Sequence, residues 1–469
     1  MTFKYNFEPT NLREYDIRGI VDKTLHLEDA YAVGRVFGSI IIRNGGKTLI
    51  IGYDGRISSP SLEEALVRGA AASGVDVRRI GRGPTPMLYF AAVTDHADGA
   101  IMITGSHNPP DHNGFKMTLK GKPFFGEQIR ELGRLAACGD VVPQAEGTIS
   151  SYDPSEAYIT RLLQDYDSGR PLKVVWDNGN SAAGEVLQRL VKKMPGEHIV
   201  LYPEIDGHFP NHHPDPTVEA NLQDLIAEVK KQKADVGIAF DGDADRVGVV
   251  DDKGHILWGD QILVLLARDV LKHHPGATII ADVKASQVLF DEVEKAGGKA
   301  LMWKTGHSLI KSKMAETKSP LAGEMSGHIF FADKWYGFDD AIYGAIRILS
   351  VISHLGGKLS QTREALPVMV STPELRFPCD DNRKFDVIRE VATRLKKEGA
   401  RVSEIDGVRV STDDGWWLLR ASNTQAVLVA RAESYSLEGL ERLKAALVKQ
   451  LGASGLEAPD FSEPASHSH

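Results

Sequence analysis

Four times along this chain an apolar run ends in an acidic or glycine-containing loop and gives way to an amphipathic helical stretch. No other feature narrows the fold so far. The runs are Thr48 to Asp54-Gly55, Val174 to Asp177-Asn178-Gly179-Asn180, Val236 to Asp241-Gly242, and Ala277 to Asp282. Short Val/Ile-rich strands alternating with helices indicate βαβ units, with functional loops at the carboxyl ends of the strands. The repetition predicts several similar α/β domains, and 469 residues are too many for one hydrophobic core. Polar or Pro/Gly interruptions near Tyr152-Asp153-Pro154, Asp252-Lys253-Gly254 and Leu366-Pro367 set the expected limits at 1–152, 153–253, 254–366 and 367–457. After Pro367 the rhythm changes. A strand around Val368, a helix from Arg383 to Lys397, short strands through Val408, Leu418 and Ala426 to Ala430, and a helix from Leu437 to Leu451 predict a separate α+β closing domain. Residues 458–469, rich in Ser, Pro and His, are expected to be a disordered tail.

A net charge of −9 argues against a general nucleic-acid or membrane-surface binder, while leaving room for a local basic pocket that holds a small anion. No apolar run approaches the roughly 20 residues of a membrane helix, and the mixed, polar start of the chain shows no signal peptide. Cys138 and Cys379 lie far apart without metal-type spacing, so a reduced, cytoplasmic setting is expected.

Four short segments carry chemistry. Thr104-Gly105-Ser106-His107-Asn108-Pro109-Pro110 follows the apolar run Ala100 to Ile103. A rigid strand, a glycine that permits a backbone closed to bulkier residues, and two prolines that stop the strand display Ser106 as a reactive hydroxyl. The second segment, Asp241-Gly242-Asp243-Ala244-Asp245-Arg246, lies between two apolar runs. Three carboxylates spaced by two, without His or Cys, suit a hard cation such as Mg²⁺. An EF-hand fails here, because Arg246 stands at its sixth position and Asp252 at its twelfth. The third, Gly323-Glu324-Met325-Ser326-Gly327-His328, offers acceptors and donors for a row of hydroxyls. The fourth, Arg420-Ala421-Ser422-Asn423-Thr424, combines a guanidinium, two hydroxyls and an amide suited to a phosphate.

Together and in this order the segments resemble the α-D-phosphohexomutase family, most closely its bacterial phosphomannomutase/phosphoglucomutase members. The resemblance spans nearly the whole chain, from Tyr15-Asp16-Ile17-Arg18-Gly19 to Arg420. It implies three related α/β domains with mixed sheets and a C-terminal α+β domain, in a heart-shaped enzyme with a central cleft. It implies that Ser106 is carried as phosphoserine, that Ser106, Asp241, Asp243 and Asp245 hold one Mg²⁺, and that Arg18 contacts the transferring phosphate. Glu324, Ser326 and His328 would bind the sugar, with Tyr15 and Gly306 beside them, while Arg420, Ser422, Asn423 and Thr424 grip the other phosphate. Lys116 and His307 become candidates for proton transfer, and Arg246 and Lys284 complete the positive lining. His would titrate near 6.5, whereas Lys would need lowering by its surroundings. His107 is assigned to phosphate or loop support, because neighbours in an extended loop point apart. The implied activity is reversible phosphoryl transfer between C1 and C6 of mannose and glucose phosphates through a hexose 1,6-bisphosphate, by a cytoplasmic monomer whose partners are phosphorylated hexoses.

Alternatives fit less well. A serine hydrolase elbow would need glycine where Asn108 stands, and a P-loop would need glycine at Ile41 and a preceding strand. A non-catalytic sugar-phosphate binder on the same fold would have lost Ser106 or an aspartate. A phosphoglucosamine mutase would carry Ala before the serine and Gln in the sugar loop, where this chain has Gly105 and Met325.

Overall fold

The computed structural model describes residues 3–142, 145–423, 425–457 and Phe461. Its strands form four sheets, of seven, five, four and six strands in chain order. The first three share one plan. A central strand, Thr48–Tyr53, Leu172–Asp177 or Thr278–Asp282, lies between two parallel neighbours. One neighbour, Gly99–Ile103, Val236–Phe240 or Leu321–Gly323, then pairs antiparallel with the next strand, His112–Leu119, Val247–Asp251 or Ile329–Phe331.

This plan corrects the sequence expectation in one respect. The four apolar runs are not four equivalent openings of βαβ units. Three are the central strands, and Val236–Phe240 is the third strand of the second sheet. Periodicity reports that a strand is buried on both faces, but not which neighbour it pairs with. Consequently the serine, aspartate and glutamate loops all occupy the same place in their sheets: each closes the hairpin between the third and fourth strands of the shared plan.

The C-terminal sheet is antiparallel and faces the helices Asp381–Lys397 and Leu437–Gly452. Its first strand is Val370–Ser371 rather than a segment around Val368, which is 84% exposed. The helix expected from Arg383 starts at Asp381, because the Asp380 carboxylate accepts from Asn382 N and caps it there. The tail expectation falls on residues outside those described except Phe461, which packs against the C-terminal core.

Burial divides these sheets into two bodies. One continuous core joins Ile50 and Met102 of the first sheet to Trp176 and Phe240 of the second and Phe331 and Ile346 beside the third. The C-terminal core is separate and meets the rest in a small apolar contact of Val283, Trp416 and Leu418. Around that contact the linkage is polar. Arg409 donates to Val283 O and Ala285 O, Arg431 donates to Lys284 O, and Glu433 accepts from Ser286 Oγ and Gln287 N.

Candidate active site

Ser106 has φ +49°, the left-handed region that a non-glycine residue adopts only when its surroundings enforce it. Thr104 Oγ1 accepts from Ser106 N at 2.8 Å, and Arg18 donates to Thr104 O at 2.8 Å. The Ser106 hydroxyl is buried and donates to Asp241 Oδ2 at 3.1 Å. Two expectations change here. His107 does not point away, since its Nδ1 is 3.2 Å from Ser106 Oγ; the left-handed turn at Ser106 brings the neighbouring side chains together. Gly105, in turn, is not among the positive-φ residues. Its missing side chain instead admits the Arg56 guanidinium, whose carbon a Cβ would meet at 2.1 Å. Burial, with Arg246 and Arg18 nearby, holds the His107 imidazole well below its ordinary value.

The aspartate loop is wound tightly. Asp241 Oδ1 accepts from the backbone N–H groups of Asp245 (3.0 Å) and Arg246 (3.1 Å), and Ala244 has φ +57°. Oxygens of Asp241, Asp243 and Asp245 lie within 4.8 Å of one another, all three residues buried. Asp243 Oδ1 is buried without a hydrogen-bond partner, and Asp245 Oδ1 has only the His328 ring near it, which fits an oxygen-only site for a hard cation. Burial and its acidic neighbours Asp245 and Asp243 push Asp241 well above the carboxylate range. Burial would raise Asp245 too, but Lys116 and His328 outweigh it and hold that carboxyl low.

Lys116 reaches across from the first sheet to donate to Asp243 Oδ2 at 2.8 Å and to Asp245 Oδ2. Burial disfavours its charge, yet Asp243 and Asp245 more than offset that and raise it well above the ordinary lysine value. The lowering that proton abstraction by lysine requires is therefore reversed, and Lys116 stands as a cation. Thr85 from the first domain also donates to Asp243, so two first-domain side chains grip this loop. Arg246 is half-buried, with its Nε enclosed and unpartnered; burial lowers its value, but Asp215, Asp241 and Asp245 hold it protonated.

In the glutamate loop, Glu324 accepts from Gly306 N at 2.5 Å and pairs with His328 Nδ1 at 3.1 Å, while Ser326 Oγ lies 3.0 Å from the same nitrogen. His328 Nε2 is 3.3 Å from Asp245 Oδ1, which joins the sugar loop to the aspartate loop. Burial works against a charged His328, but Asp245 and Glu324 raise it to about 9. The His307 ring stacks on His328 with centroids 5.7 Å apart, and its Nδ1 is buried without a hydrogen-bond partner. Burial, Lys311 and Lys116 hold His307 well below its ordinary value, so its imidazole is neutral. Asp282, at the end of the third sheet's central strand, accepts from Met325 N (3.1 Å) and Thr305 Oγ1 (3.1 Å); burial raises it to about 6.

Arg420 lies on the strand Gly415–Ala421 and donates to Asp406 Oδ2 at 3.0 Å, an oxygen that also accepts from Thr305 N. Ser422 Oγ accepts from Gln425 N, and Asn423 Nδ2 donates to the Tyr15 hydroxyl at 2.7 Å. Tyr15 in turn donates to Thr305 O at 2.9 Å, so one phenol links the first, third and fourth domains. Gly306 has φ +133°, and a Cβ there would sit 2.6 Å from the Tyr15 ring. Lys284 is held by Glu374 at 2.9 Å. Thr424 lies outside the described residues.

Sequence reasoning passed over Arg56, Asp282, Asp406 and Glu374, which hold these groups in place. A usable signal was present for two of them. Asp282 ends a central strand, and Arg56 follows the strand-ending Asp54-Gly55. Among the described residues no helix is long and apolar enough to cross a membrane.

Family models match the chain in order. Each is described as phosphoglucomutase/phosphomannomutase: alpha/beta/alpha domain I over residues 10–138, domain II over 156–254, domain III over 258–369 and the C-terminal domain over 374–450. A phosphomannomutase/phosphoglucomutase of Pseudomonas putida is 46% identical over 439 residues, covering 94% of this chain and 95% of its own. A phosphoglucomutase of Neisseria gonorrhoeae is 44% identical, covering 92% and 94%. Among solved structures, a phosphoglucomutase/phosphomannomutase family protein of Burkholderia thailandensis superposes with a TM-score of 0.91 at 43% identity, covering 96% of this chain and 99% of its own. With the serine, aspartate and glutamate loops meeting at one buried cluster, the fourth loop tied in through Tyr15, and relatives alike over nearly their full lengths, the chain belongs to the phosphoglucomutase/phosphomannomutase family.

Proposed function

We propose that this chain moves a phosphoryl group reversibly between C1 and C6 of mannose and glucose phosphates, with Ser106 as the phosphoryl carrier. Arg420, Ser422, Asn423 and Thr424 hold the phosphate that is not being transferred, and Glu324, Ser326 and His328 orient the sugar. The sugar's free hydroxyl attacks the phosphorus on Ser106, the bond to Oγ breaks, and a hexose 1,6-bisphosphate forms. After the bisphosphate turns end for end, Ser106 Oγ attacks its other phosphorus and the second monophosphate leaves. His307, held neutral by burial with Lys311 and Lys116 nearby, takes the hydroxyl proton. Lys116 and Arg246 stay charged and, with the Arg18 guanidinium, offset the developing negative charge.

Asp241, Asp243 and Asp245 beside Ser106 would hold one Mg²⁺, which when bound supplies charge neutralisation at the phosphoryl oxygens. Domain limits at 1–152, 153–253, 254–366 and 367–457, and a cytoplasmic monomer, belong to the same reading.

The observation that supports it most is the meeting of serine and aspartate loops. Ser106 Oγ is 3.1 Å from Asp241, and Lys116 is bonded to the other two aspartates. The test is ³¹P NMR of the protein with Mg²⁺, a trace of hexose 1,6-bisphosphate and each 1-phosphate in turn. Appearance of the 6-phosphate resonance is expected with both sugars; its absence with both would overturn the assignment.

A further inference from the structure

Arg56 is a large side chain with essentially no exposed surface, and nearly all of its hydrogen-bonding capacity is spent on one loop. One terminal nitrogen donates to Ser106 O at 2.8 Å and Asn108 O at 2.6 Å; the other donates to His112 O at 2.9 Å and to Pro109 O. Four carbonyls from the serine loop and the start of the following strand thus converge on one planar cation. Asp54 lies 3.3 Å from Arg56 Nε and accepts from Gly105 N at 3.0 Å, gripping the loop from its other end. Phe209, from the second domain, covers the guanidinium at 5.4 Å.

We propose that Arg56, seated by Asp54, is a positioning residue for phosphoryl transfer: it holds the backbone of Ser106 in its left-handed turn, so that Oγ stays directed at the aspartate loop. The proposal rests on the reading of Ser106 as phosphoryl carrier. A loop carrying four outward carbonyls would otherwise have to satisfy them with water, and a left-handed serine would relax to an ordinary conformation. A planar fork of N–H donors can meet several carbonyls at once, which the single ammonium of lysine cannot do in the same geometry. Arg56 touches neither substrate nor the reacting atoms; it acts through Ser106. The same device recurs in the third sheet, where the strand-ending Asp282 accepts from Met325 N, the residue two past the strand end, as Gly105 is in the first.

The test compares wild-type protein with Arg56→Lys and Asp54→Asn. Phosphorylated chains are counted by intact mass after incubation with glucose 1,6-bisphosphate and Mg²⁺, and turnover of glucose 1-phosphate is expressed per phosphorylated chain. Expected for Arg56→Lys is a fall of about 10²-fold in that turnover, the size of effect that small misplacement of a reacting group produces, with KM within about two-fold. The ³¹P resonance of phosphoserine should also shift. A role in stability alone would lower the number of active chains and leave turnover per phosphorylated chain and the resonance unchanged; that result overturns the proposal. Asp54→Asn, which keeps the shape and loses the charge, should move the same two readouts in the same direction and serves if Arg56→Lys fails to fold. An inactive wild type would refute the carrier reading instead, so the two failures are distinguishable.

Discussion

The ammonium of Lys116 lies 2.8 Å from Asp243 Oδ2, a contact from the first sheet to a loop of the second that is sealed from solvent at both ends. A buried cation between two carboxylates fixes the distance between the serine-bearing and aspartate-bearing domains. It also lets three acidic groups share a dry site.

Removing that cation leaves buried carboxylates uncompensated. Lys116→Met is expected to cost about 3–5 kcal/mol of stability, the usual penalty for orphaning one side of a buried pair. Added Mg²⁺ should restore more of the melting temperature in the variant than it adds to the wild type. Calorimetry with and without Mg²⁺ checks both.

Asp243→Asn keeps the shape of the loop and removes one charge from the oxygen cluster. Turnover should fall at least about 10²-fold, and Mg²⁺ affinity should fall in titration calorimetry. Wild-type affinity in this variant would move the cation elsewhere.

Tyr15 donates to Thr305 O and accepts from Asn423 Nδ2 across the domain contacts. Tyr15→Phe deletes both bonds and leaves the ring against Gly306. At about 1 kcal/mol for a net hydrogen bond, KM for either hexose 1-phosphate should rise about five-fold or more, with kcat changed less. Initial-rate kinetics separate the two constants.

Asp340 is buried, and burial raises its carboxyl to about 7. Between the unfolded value near 4 and about 7 the folded chain therefore binds the extra proton, so its contribution to stability is present at low pH and lost as pH rises through 7. An amide in its place still accepts from Tyr343 N through Oδ1 and can donate to the Tyr158 oxygen. Asp340→Asn should match wild type near pH 4 and exceed it by a few kcal/mol at pH 8. Urea unfolding at the two pH values measures the difference.

The chemistry-bearing loops were legible in the sequence because each carries its signal within a few consecutive residues: three spaced aspartates, a serine after a buried strand, a glutamate between glycines. What lay out of reach depends on partners far along the chain. Arg56 needs the carbonyls of Ser106 and Asn108, Lys284 needs Glu374, and Lys116 needs the aspartate loop before its charge state can be known. The Ser106–His107 contact was missed for another reason. A left-handed backbone at serine is imposed by Thr104 and Arg56 from outside, and nothing in the residue itself announces it. Strand runs were found, but whether a neighbour runs parallel or antiparallel is not written in apolar periodicity, and so the run at Val236, the third strand of its sheet, read like the three central strands.

Each of the three loops closes a hairpin whose first strand pairs parallel with the central strand of its own sheet and whose second strand runs antiparallel, so each loop is anchored in a different sheet. Donor, cation and sugar sites are therefore carried by three separate sheets and coupled through a few named contacts, Ser106 to Asp241, Lys116 to Asp243, and His328 to Asp245. Within residues 324–328, however, Gly327 O accepts from Val247 N and His328 pairs with Asp245, so Met325 and Ser326 are the positions that can be rewritten without touching the aspartate loop. A chain assembled in this way can acquire a new sugar through the tip of one loop, provided the two residues that tie it to the cation site stay in place.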